Sequence, residues 1–306
     1  MNTPIRIFVD NCILSHSEML EGAKLTKYDD ESKMKAESLG YIPKELPHDT
    51  ESWLSEQIEW LPTIAKKAGL NDIQLYSYSE LRYESWHRSA IRKIGFIFAD
   101  IEIQEVESAV ERSYFQQSDL SLHLQKDRII GFYKSLLNFE PSKADFNSPT
   151  FKRLPPHMVT NLKNIERFKT ICKGISDNQL LDAFHLWSAE TNSMDYFLTV
   201  DRKFIRVMTQ SKSIDLPCPP ISPSQLMEQL DEDKKTPFKY QKGEFIDFLG
   251  HIHELDEDKK TPFKYQKGEF IDFLGHIHEL EKQTPRSFLH KLKSMFKSLL
   301  NTKTQN

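Results

Sequence analysis

The chain has 306 residues, with 41 Lys and Arg against 45 Asp and Glu, so its formal net charge is −4. This balance excludes a basic surface over most of the protein, which wholesale coating of nucleic acid requires, and leaves room only for a local basic groove. The hydrophobic fraction is 38% when Tyr is counted as hydrophobic and Gly is not. Counting the 10 Gly in place of the 10 Tyr, to match the usual definition of apolar residues, gives the same 38%. Compact domains have about 45–50% apolar residues, so we expect part of the chain to lie outside any core.

Several classes of protein are excluded by local features. We find no run of about 18 apolar residues, so no membrane span is expected. The opening Met1-Asn2-Thr3-Pro4-Ile5-Arg6 lacks the regions of a signal peptide. The three cysteines are widely spaced and form no CxxC, which argues against a zinc ribbon or a disulfide framework. We therefore expect a soluble cytoplasmic protein.

In chain order, short apolar runs alternate with helical patterns. The predicted strands are Ile5–Val9, Ile73–Tyr76, Ile101–Val106, Tyr196–Val200 and Ser213–Leu216. The predicted helices cover residues 51–68, 80–93, 107–117, 120–137, 159–173, 178–190 and 202–210. This alternation predicts an α/β fold around a mostly parallel sheet. Prolines from 217 to 223 and a closing helix place the edge of this domain, 1–230, at about residue 230.

A perfect tandem repeat follows that domain. Residues 231–255 read DEDKKTPFKYQKGEFIDFLGHIHEL, and residues 256–280 repeat the same 25 letters. Solenoids use degenerate repeats in three or more copies, so two identical copies indicate a recent duplication in a tolerant appendage. The helical spacing of Phe245, Leu249 and Ile252 predicts one short amphipathic helix in each copy.

The last segment, residues 281–306, is predicted to form a basic amphipathic helix. Phe288, Leu292, Met295 and Leu299 share one helical face, and the segment has six Lys and Arg against one Glu. Such a helix suits the groove of a protein partner, an antitoxin among the candidates. Packing on its own domain and binding to an anionic membrane are the alternatives.

Carboxylates are placed where a parallel sheet gathers its strand ends. Asp10 and Asp201 each follow a predicted strand, Asp182 lies on the helix before the fourth strand, and Glu80 and Glu84 share a face of the helix after the second. Converging carboxylates repel one another, and a hard cation such as Mg²⁺ or Mn²⁺ relieves that repulsion. The alternative for each acid taken alone is a turn former or a helix cap.

The motifs IRIFVDNCIL, SELRYE, LLDAFHLWSAE, DYFLTVDRKF and SPSQLMEQL occur in the order found in PIN-domain nucleases. The chain resembles that family over about residues 4–20, 70–115 and 158–230. The resemblance implies a three-layer α/β/α PIN-like fold, an acidic cluster that holds Mg²⁺ or Mn²⁺, and cleavage of single-stranded RNA. Members include toxins of toxin–antitoxin pairs and RNA-processing enzymes. The segments at about 15–70 and 116–157 are larger than in a minimal member, so substrates and partners need not transfer.

Carried over by motif, the catalytic and metal-binding acids are Asp10, Glu84, Asp182 and Asp201, with Glu80 as the rival of Glu84. Asn11 follows the first acid, and Thr199 is expected to orient the fourth acid or a water. Arg202 and Lys203 could clamp an RNA phosphate, and a solvated helix face is an equal alternative. His185 is expected to have a packing role or to support a ligand, and Cys12 to be a small buried hydrophobe.

Two functions of different classes remain open on the sequence. The first is a metal-dependent endoribonuclease. The second is a catalytically silent PIN-like module that binds RNA or a protein, with a homo-oligomer possible in either case. The complete set of acids favours the first, because a silent module is expected to have lost at least one of them.

Overall fold

The computed structural model describes residues 3–29, 34–47, 52–84, 95–115, 125–210, 214–247, 250–254, 269–271 and 277–279. Of these, residues 24–29, 34–39, 82–84, 210, 253–254, 269–271 and 277–279 are described by their backbone alone. The chain divides into two compact units. One, here called the α/β unit, comprises Met1–Leu20 and Lys44–Tyr240, and the other, the β unit, comprises Glu21–Pro43 and Gln241–Asn306.

The strands and helices of the described residues are numbered in chain order. The strands are β1 Ile5–Val9, β2 Leu20–Asp29, β3 Met34–Pro43, β4 Ile73–Tyr78, β5 Ile103–Val106, β6 Tyr196–Leu198, β7 Pro220–Ile221, β8 Glu244–Asp247, β9 Ile252–Glu254, β10 Glu269–Ile271 and β11 Ile277–Glu279. The α-helices are α1 Asn11–His16, α2 Ser52–Glu59, α3 Leu61–Gly69, α4 Ser79–Glu84, α5 Lys126–Leu137, α6 Pro149–Lys152, α7 Pro156–Lys163, α8 Glu166–Cys172, α9 Leu180–Thr191, α10 Arg202–Gln210 and α11 Pro223–Gln229. Single turns of 3-10 helix lie at Arg112–Tyr114, Pro141–Lys143 and Asp177–Gln179.

The α/β unit is built on a five-stranded sheet in the order β5-β4-β1-β6-β7. All four neighbouring pairs are parallel. Parallel strands need crossover connections, which here contain helices, so the sheet is covered rather than exposed. The expected α/β class with a central parallel sheet is confirmed.

The two faces of this sheet are apolar because side chains alternate along each strand. Phe8 of β1 belongs to one core cluster, together with Tyr76 and Phe197 from the neighbouring strands and residues of α5, α7, α8 and α9. Ile7 and Val9 belong to a second cluster, with residues of α2, α3 and α11. This arrangement is compatible with three α/β/α layers.

The β unit contains antiparallel strands. β2, β3, β8 and β9 form a four-stranded sheet in that order, and β10 and β11 form a separate two-stranded sheet. β8 pairs with β3 and with β9, so the first repeat copy contributes two strands to a sheet whose other half comes from residues 20–43.

The prediction of one amphipathic helix in each repeat copy is wrong. Each copy forms a β-hairpin instead, β8–β9 in the first and β10–β11 in the second. The short apolar run of Phe245 and Ile246 fits either a helix or a strand, and both side chains are buried where β8 pairs with β3. Tertiary pairing therefore decides the conformation of this segment.

The fifth strand of the sheet also differs from its prediction. Residues 214–216 form no strand, and the edge strand is β7, inside the proline-rich stretch from 217 to 223. Proline lacks a backbone N–H and is tolerated on a sheet edge. At this edge the Pro219 carbonyl accepts a hydrogen bond from the Phe197 N–H.

The predicted helices differ from the structure in both number and extent. The pattern at 51–68 divides into α2 and α3, and that at 159–173 into α7 and α8, while 107–117 forms only one turn of 3-10 helix. The predicted helix at 281–306 lies outside the described residues. Within the part of the chain that the structure describes, no helix is long and apolar enough to cross a membrane.

Candidate active site

The sheet order places one topological switch point in the α/β unit. Connections from β1 lead first to β4 and β5 on one side, and the chain then crosses to β6 and β7 on the other. In open α/β folds the crevice at the carboxyl ends of the strands on either side of such a point binds ligands. Asp10 follows β1 directly, and Thr199, Val200 and Asp201 follow β6. The first and fourth predicted acids therefore lie at the switch point.

Asp10 is buried, with 6% of its surface exposed, and both of its carboxylate oxygens accept hydrogen bonds. Oδ1 accepts from the backbone N–H of Asn11 at 2.6 Å, which caps the start of α1. Oδ2 accepts from the Thr199 hydroxyl at 2.7 Å and from the Cys12 thiol at 2.8 Å. A buried carboxylate with this many donors is held in one orientation.

Asp201 is partly exposed and caps the next helix. Its Oδ1 accepts from the backbone N–H of Phe204 at 2.8 Å, in the first turn of α10. Its own backbone N–H donates to the Thr199 hydroxyl oxygen at 3.1 Å. Thr199 is fully buried, and it links the two acids because it donates to Asp10 and accepts from Asp201. Thr199 was expected to orient the fourth acid or a water; in the structure its hydroxyl bonds the side chain of the first acid and only the backbone of the fourth.

Cys12 has a polar role that the sequence analysis did not anticipate. Its sulfur lies 3.2 Å from the Thr199 hydroxyl and accepts from the Val200 N–H at 3.3 Å. Burial, followed by the charge of Asp10, raises the pKa of the Cys12 thiol well above its usual value. The thiol therefore stays protonated and donates a hydrogen bond to Asp10. Cys12 packs against the second core cluster as expected of a small hydrophobe, but its sulfur is also hydrogen-bonded, which the sequence did not predict.

Glu80 is engaged elsewhere. It is 4% exposed, and its two oxygens accept from the Arg112 guanidinium at 2.7 and 3.3 Å. Arg112 is only 1% exposed. Such a two-pronged buried ion pair occupies the carboxylate and gives Glu80 a structural role. This placement favours Glu84 over Glu80 as the second acid. The backbone of Glu84 ends α4, and its side chain lies outside the described atoms.

Asp182 lies in the first turn of α9 and is half-buried. Among the described residues, no three or more His, Cys, Asp and Glu side chains form a group that could hold a metal ion. The structure therefore brings Asp10 and Asp201 to one edge, and the convergence of Asp182 and Glu84 on them stays a prediction.

His185, one turn beyond Asp182, has a structural partner. It is 1% exposed, and its Nδ1 lies 2.5 Å from the Tyr78 hydroxyl. The two rings also pack edge to face, 5.5 Å apart. A histidine that is enclosed in this way supports α9 against β4, in agreement with the packing role expected for it.

Arg202 and Lys203 are exposed at the start of α10, beside Asp201. The Arg202 guanidinium lies 5.6 Å from the centre of the Trp53 ring, a cation–π contact. Asn11 begins α1, and its backbone N–H is the donor to Asp10 described above. These positions put two cations near the switch point.

No family model, no curated protein and no solved structure matches this chain. The candidate site consequently rests on the motif resemblance and on the geometry above.

Proposed function

We propose that this protein is a metal-dependent endoribonuclease that cleaves phosphodiester bonds of single-stranded RNA. The observation that carries the proposal is the Thr199 hydroxyl, which links Asp10 and Asp201 at the switch point of the sheet. Because this buried hydroxyl bonds both Asp10 and the backbone of Asp201, it keeps the two acids close together, which supports a common role in binding a ligand. The carboxyl-end location supports ligand binding there.

The carboxylate oxygens of the candidate site are the type of ligand that a hard cation prefers. Mg²⁺ and Mn²⁺ prefer carboxylate oxygens and retain several waters. The helix cap uses Oδ1 of Asp201, so we assign its Oδ2 to the metal, together with Asp10 and, as the motifs imply, Glu84 and Asp182. When bound, such an ion polarises a phosphoryl oxygen and lowers the pKa of a bound water.

The other residues near the switch point serve binding and orientation in this proposal. Thr199 and Cys12 donate to the same oxygen of Asp10 and fix the direction of its carboxylate. Arg202 and Lys203 are exposed cations at the start of α10, and they attract the phosphates of RNA without reading its bases. The net charge of −4 restricts such attraction to a local surface.

A silent binding module is the second candidate, and one observation favours it. Asp10 and Asp201 both cap helices, so a structural reason for each acid exists without any metal. In that case the same edge binds RNA or a protein partner without cleavage. The two candidates differ in what happens when the two charges are removed.

The decisive experiment measures cleavage of single-stranded RNA with Mn²⁺ or Mg²⁺ and with EDTA, for the wild type, Asp10→Asn and Asp201→Asn. Asn caps helices as well as Asp does, so both caps can remain while each variant loses a charge. In Asp10→Asn an amide NH₂ group also replaces one oxygen that accepts hydrogen bonds, so circular dichroism must show that this variant is folded. We expect both to remain folded and to lose at least about 100-fold in rate, the upper range for changes that support a metal ligand. Asp195→Asn is the matched control, because Asp195 precedes β6 at the opposite edge and accepts from the Arg6 N–H.

A second measurement distinguishes the nuclease from the silent binding module even if the RNA that is tested is not a substrate of the protein. Calorimetric titration with Mn²⁺ should show binding to the wild type and to Asp195→Asn, and weaker binding to the two site variants. Absence of both metal binding and cleavage by the wild type would contradict the nuclease proposal and favour the silent module.

A further inference from the structure

The first repeat copy is attached to the rest of the chain by its opening residues. Residues 232–238, here called the strap, run along α2 and α3 within the α/β unit. Its contacts are a Lys67–Glu232 ion pair at 3.1 Å, a Lys235–Glu59 ion pair at 2.6 Å, Lys235 over the Trp60 ring at 5.3 Å, and the Thr236 N–H donating to Thr63 Oγ1 at 2.8 Å. The strap therefore belongs to the α/β unit, and the hairpin of the same repeat copy belongs to the β unit.

The hairpin of the first copy binds a built surface on β3. Tyr41 of β3 lies opposite Ile246 of β8, and Gly40 lies opposite Asp247. Phe245 and Ile246 are buried, at 2% and 0% exposure. A Cβ at Gly40 would lie 2.5 Å from the Phe245 ring and would also clash with the Ile246 carbonyl oxygen. Gly40 thus makes a surface that is fitted to Phe245.

The second copy contains the same hairpin. β10 and β11 pair Glu269 with Glu279, Phe270 with His278 and Ile271 with Ile277. This is the register of β8 and β9, shifted by the 25 residues of the repeat. Among the described strands β10 and β11 pair only with each other. A two-stranded hairpin is marginally stable by itself in water, so this copy gains stability from any third strand.

We propose that β3 is a binding site for either copy, and that β10 and β11 exchange with β8 and β9 on it within one chain. The two hairpins have identical side chains, so their contacts with Gly40 and Tyr41 are equal in energy. The two hairpins differ only in the length of the chain that connects each of them to Tyr240, here called the tether. Counted from Tyr240, it lengthens from about 4 to about 29 residues, and loop closure then favours the first copy by roughly 20-fold.

Cysteine pairs test which copy lies on β3. Tyr41→Cys with Ile246→Cys reports the first copy, and Tyr41→Cys with Ile271→Cys reports the second. We expect both pairs to form an intramolecular disulfide, the second about 20-fold more slowly. Adding Phe245→Ala should reverse that preference, because the second copy then has the better side chain for the Gly40 surface.

The matched control for random collision is Tyr41→Cys with Glu279→Cys, since β11 corresponds to β9, which does not pair with β3. The exchange is wrong if the Ile271 pair forms no faster than this control. It is equally wrong if the Ile271 pair appears only as disulfide-linked dimers on a non-reducing gel, since the hairpin would then be binding a second chain.

Melting temperatures give a test that needs no cross-link. Phe270→Ala should melt close to the wild type, because it alters the copy that is rarely on β3. Phe245→Ala should lose no more than the roughly 20-fold advantage of the shorter tether, and the double variant should melt well below both single variants. The exchange would be refuted by a Phe245→Ala variant that is as unstable as the double variant. None of these substitutions touches Asp10 or Asp201, so the result is independent of the proposed nuclease activity.

Discussion

Glu80 and Glu84 lie one turn apart on α4, and the structure gives Glu80 a buried ion-pair partner, Arg112. Replacing Glu80 with Gln removes the negative charge from its buried ion pair with Arg112. Breaking a buried ion pair costs about 3–5 kcal/mol. We therefore expect Glu80→Gln to lower the free energy of unfolding by roughly 3 kcal/mol, since the amide keeps one hydrogen bond. Urea denaturation followed by circular dichroism measures this loss.

Glu84→Gln is the matched variant and should behave in the opposite way. Its stability should stay within about 0.5 kcal/mol of the wild type, as is usual away from buried pairs, while metal-dependent RNA cleavage falls. The assignment of the second acid would have to be reversed if Glu80→Gln abolished cleavage at full stability and Glu84→Gln did not.

The Cys218 thiol makes the free energy of unfolding depend on pH. It is fully buried, and burial, followed by the charges of Glu190 and Asp195, raises the pKa of its thiol well above the usual value. Above about pH 8.5 the unfolded chain releases the thiol proton while the folded chain keeps it. Stability from this group is therefore present below that pH and is lost as the pH rises towards the folded pKa, by up to about 1.4 kcal/mol per pH unit.

The measurement is the slope of unfolding free energy between pH 8.5 and 10 for the wild type and Cys218→Ala. The variant should show the shallower slope, whatever its absolute stability. Equal slopes would mean that the Cys218 thiol ionises as readily in the folded protein as in the unfolded chain.

At the scale of elements, the pairing of β3 with β8 depends on Gly40. Gly40→Ala places a methyl group against the Phe245 ring and the Ile246 carbonyl, both of them held by the sheet. We expect the β unit to lose about 1–3 kcal/mol, the range for overpacking. Hydrogen exchange at the amides of Ile246 and Tyr41 should accelerate while exchange in β1 and β4 stays unchanged.

Gly131 supplies the matched control for that substitution. It lies inside α5, and a Cβ built there has no neighbour within 4 Å. Gly131→Ala should stabilise the protein by about 0.5–1 kcal/mol, because alanine loses less backbone entropy than glycine in a helix. Similar losses from both substitutions would show that the close approach at Gly40 is not the cause.

At the scale of the whole molecule, the tandem repeat makes one deletion informative. Removing residues 256–280 and removing residues 231–255 produce the same chain, because the copies are identical. That chain retains one strap and one hairpin. We expect its melting temperature to stay within about 2 °C of the wild type, which corresponds to less than about 1 kcal/mol, with RNA cleavage unchanged. Differential scanning calorimetry and the cleavage assay check both. A large drop in melting temperature would show that both copies are needed at once.

The division into two units was not evident from the chain order. The chain leaves the α/β unit at Glu21, forms β2 and β3, and returns at Lys44. The repeat then supplies β8 and β9 to the same sheet from some 200 residues further on. The segment predicted as an enlargement of a nuclease domain thus belongs in part to a second sheet, together with residues interpreted as a tolerant appendage.

Local periodicity was sufficient for much of the α/β unit. The short apolar run that contains Ile7, Phe8 and Val9 predicts a strand, and Asp10 follows from its position at the end of that strand. The same reasoning predicts β6 and places Asp201 beyond it. These inferences succeed because strand and helix periods, and the acids that follow strand ends, are properties of neighbouring residues.

Contacts between residues far apart in sequence decided the features that local patterns did not predict. Arg112 occupies Glu80 across 32 residues, and the Cys12 sulfur lies beside Thr199 across 187. The hairpin of the first repeat copy joins a larger sheet because β3 offers backbone donors and acceptors and a surface at Gly40. No periodicity in the repeat reports that partner, because a strand is stabilised by the neighbour with which it pairs. Composition and local patterns were enough to predict the apolar strands and the acids that follow them, whereas the fold decided which acid is held in a buried ion pair and which apolar run becomes a hairpin.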